Sequence, residues 1–302
     1  MYQLEDRPHH RRATPREEGS PLANVTTMIK DLAPALTRNA DGIWRSGVSR
    51  SVSYPADGNR KFAAVEENSF WFNHRNACIC SLLERFRPSG VILDIGGGNG
   101  YVALAMTRAG FDVIVVEPGP DGCRVAHDRG LEVIGSTLAD VGVKPGSVPA
   151  IGMFDVLEHI EDEAEALAQA RSLLASGGRF FVTVPAFAFL WADEDVQAGH
   201  YRRYSRSVLA AALRRAGLEV EYISYMFVPL PVAILLTRTL PSLLGRRADR
   251  SLQQMSAEHR ARTGISGQIL ARILAFERRH ISAGGELPFG SSCIGVARKP
   301  RE

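Results

Sequence analysis

From residue 91 onward, short apolar runs rich in β-branched residues alternate with segments of helical character. The runs are VILDI, DVIVVE, LEVIG, AIGMFDV, RFFVTVP and LEVEYISYMF, and most of the segments between them end at glycine. A strand that is apolar on both faces must be covered on both faces, and alternating helices supply that cover. The chain therefore predicts an α/β fold built on a Rossmann-like, doubly wound and mostly parallel sheet.

A final run, SSCIGVARK, predicts a last strand, which we expect to be antiparallel. The pattern before it divides the chain into four parts. We expect a disordered tail over 1–24, because that stretch is charged and poor in apolar residues. A capping segment follows over 25–68, the main domain covers 69–227 and 288–299, and a helical insertion covers 228–287.

The composition excludes several classes of protein. Of 302 residues, 45% are apolar and 23% are charged, as in an ordinary globular protein. A formal charge of +3, without a basic stripe interleaved with aromatic residues, argues against a nucleic-acid partner and favours a small molecule. No apolar signal segment follows the polar N-terminus, so we expect a cytoplasmic protein.

The four cysteines indicate a reducing compartment, because they form no CxxC pair. Cys78 and Cys80 lie two positions apart on a predicted helix that starts near Ser69. Residues at that spacing do not share a helix face. We therefore expect no metal site there, and none elsewhere in the chain.

The first strand runs into a turn of unusual composition, VILDIGGGNGY. Glycines let the backbone approach a ligand closely, and the helix that follows offers unpaired N–H groups. A dinucleotide site would need G-x-G-x-x-G, but the third position holds Tyr101. The glycines run instead as G-x-G-x-G over Gly96, Gly98 and Gly100. Asp94 would repel a pyrophosphate and attract an ammonium, which favours S-adenosylmethionine over NAD.

An acid ends the second strand. A carboxylate in that place can accept hydrogen bonds from the two hydroxyls of a ribose. Glu117 therefore indicates a nucleoside, although NAD and S-adenosylmethionine both carry this diol.

Together these motifs resemble the class I S-adenosylmethionine-dependent methyltransferases. VILDIGGGNGY resembles their first motif and VIVVEPG their second, and GMFDVLEHIEDE with LLASGGRFFVTVP resembles the fourth and fifth. The form FDVLEH is similar to the small-molecule branch that includes ubiquinone and menaquinone methyltransferases. The resemblance covers about 69–227 and the last strand, and it implies S-adenosyl-L-methionine as the cofactor.

The resemblance also implies roles for individual residues. Asp94 and Gly96 would contact the methionine end, with Gly98 and Gly100 making room, and Glu117 would hold the ribose. The other cofactor-binding candidates that it implies are Pro118 after the second strand, Thr137 and Leu138 after the third, Asp155 and Val156 after the fourth, and Arg75 on the preceding helix. The family often has an acid in the loop after the third strand, whereas this chain has Ser136 and Thr137, with Asp140 slightly later.

Methyl transfer needs a nucleophile aligned with an already activated methyl group, and a general base when the acceptor is a hydroxyl. Two histidines are candidates for that base. His159 follows the fourth strand, and His200 lies in AGHYRRYS, a segment that commonly faces the substrate in this fold. Tyr204 is a third candidate in the same segment. Arg202 and Arg203 are candidates for recognising an anionic acceptor.

The stretch MFVPLPVAILLTRTLPSLLGRR is the most apolar of the chain, but prolines interrupt it and its apolar run is too short to span a membrane. It is typical of a packed core helix, a lid over an apolar acceptor, a dimer contact, or a peripheral lipid contact through 227–247. Of the functional readings we favour the lid. The oligomeric state, monomer or homodimer, stays open.

These observations favour methyl transfer from S-adenosylmethionine to a small, partly apolar acceptor, with O-methylation ahead of C-methylation. Two alternatives remain at this point. One is an NAD-linked oxidoreductase, and the other is a non-catalytic nucleoside-binding protein of the same fold.

Overall fold

The computed structural model of the chain describes residues 21–46, 66, 69–244 and 264–301. The strands of this part are β1 (Thr37–Arg38), β2 (Trp44–Arg45), β3 (Ile92–Ile95), β4 (Val113–Val116), β5 (Glu132–Ile134), β6 (Val148–Phe154), β7 (Leu174–Pro185), β8 (Glu219–Met226) and β9 (Ser292–Arg298). The helices are α1 (Pro21–Leu32), α2 (Phe70–Arg85), α3 (Tyr101–Arg108), α4 (Pro120–Asp128), α5 (Glu163–Leu173), α6 (Asp193–Ala198), α7 (Arg206–Arg215), α8 (Leu230–Ile234), α9 (Leu240–Leu243) and α10 (Ile265–Ser282).

All nine of these strands belong to one sheet, in the order β1-β2-β5-β4-β3-β6-β7-β9-β8. The central strands pair in parallel, and β9 pairs antiparallel with both β7 and β8. The predicted fold class is therefore confirmed, including the antiparallel last strand. The chain builds outward from β3 in one direction and then, from β6, in the other. Beyond the carboxyl ends of β3 and β6 this reversal opens the crevice in which such sheets bind ligands.

The central strands are buried along their whole length, as their apolar runs predict: β3 and β4 have no exposed residue. Polar caps set the starts of the flanking helices. The Ser69 hydroxyl accepts a hydrogen bond from the Phe72 amide at the start of α2, and the Asp162 carboxylate accepts one from the Glu165 amide at the start of α5. The cap at Asp162 explains why α5 begins later than the predicted residue 160.

The N-terminal part differs from the prediction. Helix α1 begins at Pro21, so a disordered tail reaching residue 24 is wrong for its last four positions, and the rest of that prediction lies outside the described residues. The short strands β1 and β2, which the sequence analysis missed, extend the sheet beside β5. Trp44 Nε1 donates to Glu132 Oε2 at 2.9 Å, and Thr26 donates to the other oxygen of that carboxylate at 2.8 Å. The predicted capping segment is described only up to residue 46 and at Glu66.

Helices occupy the described part of the predicted insertion. From α8 the chain continues through a π-helical stretch (Leu235–Thr239) into α9, and α10 then leads back toward β9. Glu277 on α10 anchors the insertion to the main domain. Its buried carboxylate accepts the amide hydrogens of Phe227 and Val228 at 2.6 and 2.9 Å, and it contacts His74 of α2 at 2.7 Å. No helix among the described residues is both long and apolar enough to cross a membrane.

Candidate functional site

The turn between β3 and α3 is made of glycines in a left-handed conformation. Gly96, Gly98 and Gly100 have φ angles of 68°, 53° and 70°. A Cβ added to Gly97 would lie 2.9 Å from Asp94 Oδ2, and one added to Gly100 would lie 2.5 Å from a Leu131 methyl carbon. The positive φ angles and the close neighbours therefore both exclude a side chain larger than that of glycine in this turn.

Asp94 lies beneath the turn and is only 1% exposed. Its Oδ2 has no hydrogen-bond partner among the described residues. Burial raises the pKa of Asp94 to about 7; the Arg75 cation lowers it and the Glu117 carboxylate raises it further. A buried carboxylate oxygen without a partner is costly, and an ammonium group of a ligand would offset that cost. The residues of the turn therefore fit the amino-acid end of S-adenosylmethionine.

Glu117 joins the ends of two neighbouring strands. Its carboxylate accepts the amide hydrogen of Gly98 at 2.9 Å and that of Gly119 at 2.7 Å. The side chain thus holds the glycine turn in shape from the end of β4, a role that the sequence analysis did not anticipate. Each carboxylate oxygen can accept more than one hydrogen bond, so the group can still receive sugar hydroxyls. Pro118 follows and is half-buried.

Arg75 forms an ion pair within the protein. Its guanidinium contacts Asp155 Oδ2 at 2.5 Å and lies over the Trp71 ring, 4.9 Å from the centroid. Asp155, directly after β6, has a φ of 57°, which is strained for a non-glycine residue. The next residue, Val156, packs against Gly96, where an added Cβ would approach its methyl to 2.8 Å. The structure therefore brings Arg75, Asp155 and Val156 together beside the glycine turn, with the arginine engaged by Asp155.

A second ion pair supports the turn from below. Asn99 donates to Glu66 Oε1 at 3.1 Å, and Arg129 donates both to Glu66 Oε2 at 2.9 Å and to the Asn99 carbonyl at 2.6 Å. These residues were not predicted, since Glu66 lies outside the recognisable motifs and nothing in its surroundings marks it.

The loop after β5 forms the third part of the crevice. Thr137 donates to Asp140 at 2.9 Å, so the threonine and the late acid of this loop act together. Leu138 is half-buried against the core. Ser136 is buried, and its hydroxyl has no partner among the described residues.

His159 and His200 come from distant parts of the chain and meet edge to face, with ring centroids 4.6 Å apart. His159 ends a 3-10 turn (Leu157–His159) that follows β6, and His200 follows α6. Burial, followed by the proximity of His200, lowers the pKa of His159 to about 4, so that ring is neutral at physiological pH. The structure thus assembles the two predicted histidines into one pair.

A buried aspartate fixes His200. Asp195 is 1% exposed, and its Oδ1 contacts His200 Nδ1 at 2.7 Å and accepts a hydrogen bond from Arg203 at 2.9 Å. Its Oδ2 accepts the Ala192 amide hydrogen at 2.9 Å. Because Asp195 holds Nδ1, the other ring nitrogen of His200 is left to act on a ligand. The five-residue spacing of Asp195 and His200 gave no sequence signal for this contact.

Tyr204 is placed differently from the prediction. It is fully buried, and its hydroxyl donates to Glu163 at 2.7 Å. Burial and the adjacent Glu163 raise the pKa of Tyr204 well above its ordinary value. These contacts give Tyr204 a packing role in place of the catalytic one expected. Arg202 donates to the Glu161 carbonyl at 2.6 Å and Arg203 donates to Asp195 at 2.9 Å, so both already have a partner within the protein. Their role toward an anionic acceptor stays a prediction.

Comparisons with known proteins bear on this arrangement. Residues 71–223, half of the chain, match a family model described as a methyltransferase domain. A ubiquinone biosynthesis O-methyltransferase of Xanthomonas axonopodis is 30% identical over 163 residues, which are 47% of this chain and 68% of that protein. A probable S-adenosylmethionine-dependent methyltransferase of Mycolicibacterium smegmatis is 28% identical over 173 residues, covering 55% of this chain and 66% of that protein. The matches thus span about two thirds of these relatives.

A solved structure of similar fold is phosphoethanolamine N-methyltransferase 2 of Haemonchus contortus in complex with S-adenosyl-L-methionine. It aligns with 85% of this chain and 61% of its own, at a TM-score of 0.52 and 17% identity, which supports the fold alone. The family match shows a methyltransferase domain, which excludes the nicotinamide-linked oxidoreductase. Together with the glycine turn and with Asp94 Oδ2, which has no hydrogen-bond partner among the described residues, it leads to one conclusion: the chain belongs to the methyltransferase-domain family and is an S-adenosylmethionine-dependent methyltransferase.

Proposed function

We propose that this enzyme methylates a hydroxyl group of a small, partly apolar acceptor. The observation that carries the proposal is the pair of His159 and His200, which brings together the segments that follow β6 and α6. A hydroxyl must lose its proton as it is methylated, and His200, whose Nδ1 is held by Asp195, is suited to accept that proton. The Xanthomonas relative is an O-methyltransferase by name, which favours the same chemistry.

The donor site in this proposal consists of three groups. Asp94 faces the ammonium group of the donor, and Glu117 faces its ribose. Thr137 and Leu138 face its adenine. The glycines of the turn let the ligand approach the backbone; they are Gly96, Gly98 and Gly100. When bound, S-adenosylmethionine supplies an activated methyl group on its sulfonium. Arg75 orients Asp155 through their ion pair, and Val156 fixes the position of the turn.

The helical insertion supports an apolar acceptor because it packs against the segment that carries His200. Thr239 donates to the Leu190 carbonyl at 3.1 Å, and Ser242 donates to Asp193 at 2.9 Å. Both partners lie just before or within α6, which leads to His200. In this proposal the insertion forms a lid over the acceptor.

The outer side of the insertion supports contact with an anionic lipid surface. The exposed apolar residues of this segment are Val232, Leu236, Leu240, Leu243 and Leu244. Ile269, Ile273 and Phe276 are exposed on α10, where Arg272 and Arg278 are exposed as well. Apolar side chains flanked by cations are typical of helices that lie in a membrane interface. A lipid surface is also where an apolar acceptor would be met.

Methyl transfer is tested with S-adenosylmethionine labelled in its methyl group and a panel of hydroxylated aromatic acceptors, with and without an alkyl chain. We expect label in an ether methyl group and faster turnover of the alkylated members. His200→Ala should lower turnover while binding S-adenosylhomocysteine with unchanged affinity in calorimetry. His280→Gln, at a half-buried position on α10, is the matched control and should leave both unchanged.

Label on ring carbon or on nitrogen would refute O-methylation and would favour the other acceptor chemistries. Unchanged turnover of His200→Ala would remove the histidine pair from the reaction, while leaving the donor assignment intact.

A further inference from the structure

The loop that follows β5 is held by a part of the chain that lies far from it in sequence. This β5 loop, residues 135–144, forms the side of the crevice proposed above to face the adenine of the donor. The N-terminal segment, residues 21–46, contains α1, β1 and β2 and contacts the β5 loop at both of its ends. It precedes residues 71–223, which match the methyltransferase-domain model, so these contacts lie outside the matched domain.

Strand β2 extends the sheet to the start of the β5 loop. Trp44 pairs in parallel with Ile134, and the Trp44 carbonyl accepts the amide hydrogen of Gly135 at 2.7 Å. The Arg45 side chain lies against the same glycine, because a Cβ added there would be 2.7 Å from Nη1. Asp41 accepts a hydrogen bond from that guanidinium at 2.7 Å. Strand β2 therefore fixes the point at which the β5 loop leaves the sheet.

Helix α1 and the residues after it hold the other end of the β5 loop. The Leu32 carbonyl accepts the amide hydrogen of Lys144 at 2.9 Å. Leu36 is buried, and a Cβ added to Gly142 would lie 3.9 Å from its Cδ2, which is an ordinary van der Waals distance. The β5 loop is thus attached to the N-terminal segment where it begins and where it ends.

A buried carboxylate on β5 attaches the N-terminal segment to the sheet. Glu132 is 5% exposed and accepts three hydrogen bonds, from Trp44 Nε1 at 2.9 Å, from Thr26 at 2.8 Å and from Arg38 at 3.3 Å. Hydrogen bonds to an ionised acceptor are roughly twice as strong as those between neutral groups. The attachment therefore depends on a charged group three positions before Gly135.

The part of the β5 loop between these attachments carries groups suited to a ligand. Ser136 is 4% exposed, and its hydroxyl has no hydrogen-bond partner in the described part of the chain. Thr137 is fixed by its hydrogen bond to Asp140. The carbonyl of Ile134 accepts the Glu117 amide hydrogen at 3.0 Å, so the end of β5 also positions the acid proposed to hold the ribose. A ligand that enters a preformed site avoids the entropic cost of ordering such a loop.

We propose that the N-terminal segment is a positioning element for the donor, which preforms the adenine side of the site by holding the β5 loop at both ends. Trp44 and Glu132 are the positioning residues on which this attachment depends, and they act through the loop. The inference rests on the donor site proposed above, and it does not rest on O-methylation.

The test uses the full chain and needs no acceptor. Calorimetry measures the affinity for S-adenosylhomocysteine and for S-inosylhomocysteine, in which oxygen replaces the adenine amine, and mass spectrometry measures amide hydrogen exchange over residues 135–144. Trp44→Ala should weaken S-adenosylhomocysteine binding by about tenfold, the loss expected for one hydrogen bond to a charged group. It should also raise exchange over 135–144 and reduce the preference for adenine, because a loosened loop no longer distinguishes the two bases.

Two further variants separate positioning from stability. Trp44→Phe keeps a buried ring and loses only the indole N–H, so it should change the same quantities in the same direction but by less, and it replaces Trp44→Ala if that variant does not fold. Leu213→Ala is the matched control, since Leu213 is fully buried on α7, which packs on β8 at the opposite edge of the sheet. This control should lose stability through its cavity, but it should keep donor affinity, base preference and exchange over 135–144 unchanged.

Circular dichroism establishes that each variant is folded. The inference is overturned if the folded Trp44 variants keep the affinity and base preference of the unaltered chain, whether or not exchange over 135–144 rises. It is also overturned if Leu213→Ala loses as much affinity as they do. None of these outcomes bears on O-methylation, which the position of the methyl label decides. Conversely, label on carbon would refute the proposed function and leave this inference in place.

Discussion

At the scale of single residues, the burial of Asp94 has the largest effect on ligand binding that we expect. Its carboxylate is buried next to a turn that excludes side chains, and Arg75 offsets only part of the cost of burial. A ligand that brings its own cation can complete the pairing. The residue thus favours an ammonium-bearing ligand, and it makes binding sensitive to pH.

We expect the affinity for S-adenosylhomocysteine to fall as pH drops from 8 to 6. The pKa of Asp94 is raised to about 7, so below that pH the side chain carries a proton and no longer attracts the ammonium. The affinity should fall by at most about tenfold for each pH unit. Calorimetry over this range gives the measurement, with Asp94→Asn as the comparison. The variant should bind roughly 1–3 kcal/mol more weakly at pH 8 and show little of the pH dependence.

The raised pKa of Asp94 also affects the stability of the fold, which changes with pH in the opposite direction to the ligand affinity. The ligand-free folded chain keeps the Asp94 proton up to about pH 7, whereas the unfolded chain loses it near pH 4. The contribution of Asp94 to stability therefore decreases as pH rises between these values. Asp94→Asn should be at least as stable as the unaltered chain at pH 8 in urea unfolding. A marked loss of stability there would contradict the assigned burial.

At the scale of elements, Glu277 connects α10, β8 and α2. It accepts two amide hydrogens where the chain leaves β8, and the chain there takes a left-handed φ of 63° at Phe227. Trp71 of α2 stacks on the Phe227 ring at 5.3 Å, and the same tryptophan lies under the Arg75 guanidinium. The base of the insertion is thereby linked to the ion pair beside the donor site.

Glu277→Ala should destabilise the fold strongly, because it leaves buried amides without an acceptor. The expected cost is roughly 1–3 kcal/mol for each buried group left unpaired. Glu286→Ala is the matched control: that glutamate is exposed and forms a surface ion pair with Arg206, so its loss should cost less than about 1 kcal/mol. Urea unfolding of the two variants gives the comparison, and equal effects would show that Glu277 is not an anchor.

At the scale of the whole molecule, the two described parts of the insertion carry exposed apolar side chains on a chain of nearly balanced charge. Leu243 and Leu244 are 76% and 72% exposed at the end of α9, and Phe276 is 61% exposed on α10. Exposed apolar side chains in such number on a folded protein mark an interaction site. We propose that these side chains contact an anionic lipid surface, since exposed arginines accompany those on α10.

The full chain should sediment with vesicles that contain anionic phospholipid and much less with zwitterionic ones. The double variant Leu236→Ser and Leu243→Ser should lose this binding, because it removes apolar area from the contact. Val208→Ser, an exposed apolar residue on α7, is the matched control and should bind normally. If vesicles capture nothing while the double variant alters the elution volume in size-exclusion chromatography, the patch is an interface between copies of the chain.

Local pattern predicted some features of this molecule and not others. The edge strands β1 and β2 were missed, because two residues are too few to show alternation. Tyr204 was expected to be catalytic because it lies in the acceptor segment, yet its hydroxyl is engaged by Glu163. The contacts by which Glu66, Asp195 and Glu277 support the site had no signal in the sequence. Each acts through a contact that depends on where other segments fall.

From residue 91 onward, the sequence by itself determined the order of the main strands and helices, the glycine turn at Gly96 to Gly100 and the acid at the end of the second predicted strand. These follow from periodicity and backbone sterics, which act over a few residues. Only the tertiary structure decided that His74 meets Glu277 across 203 positions, that Asp195 holds His200, and that the buried Glu158 Oε2 has no partner in the described part of the chain. Such contacts depend on sheet order and on the packing of distant helices, and a carboxylate has no fixed partner until the chain has folded around it.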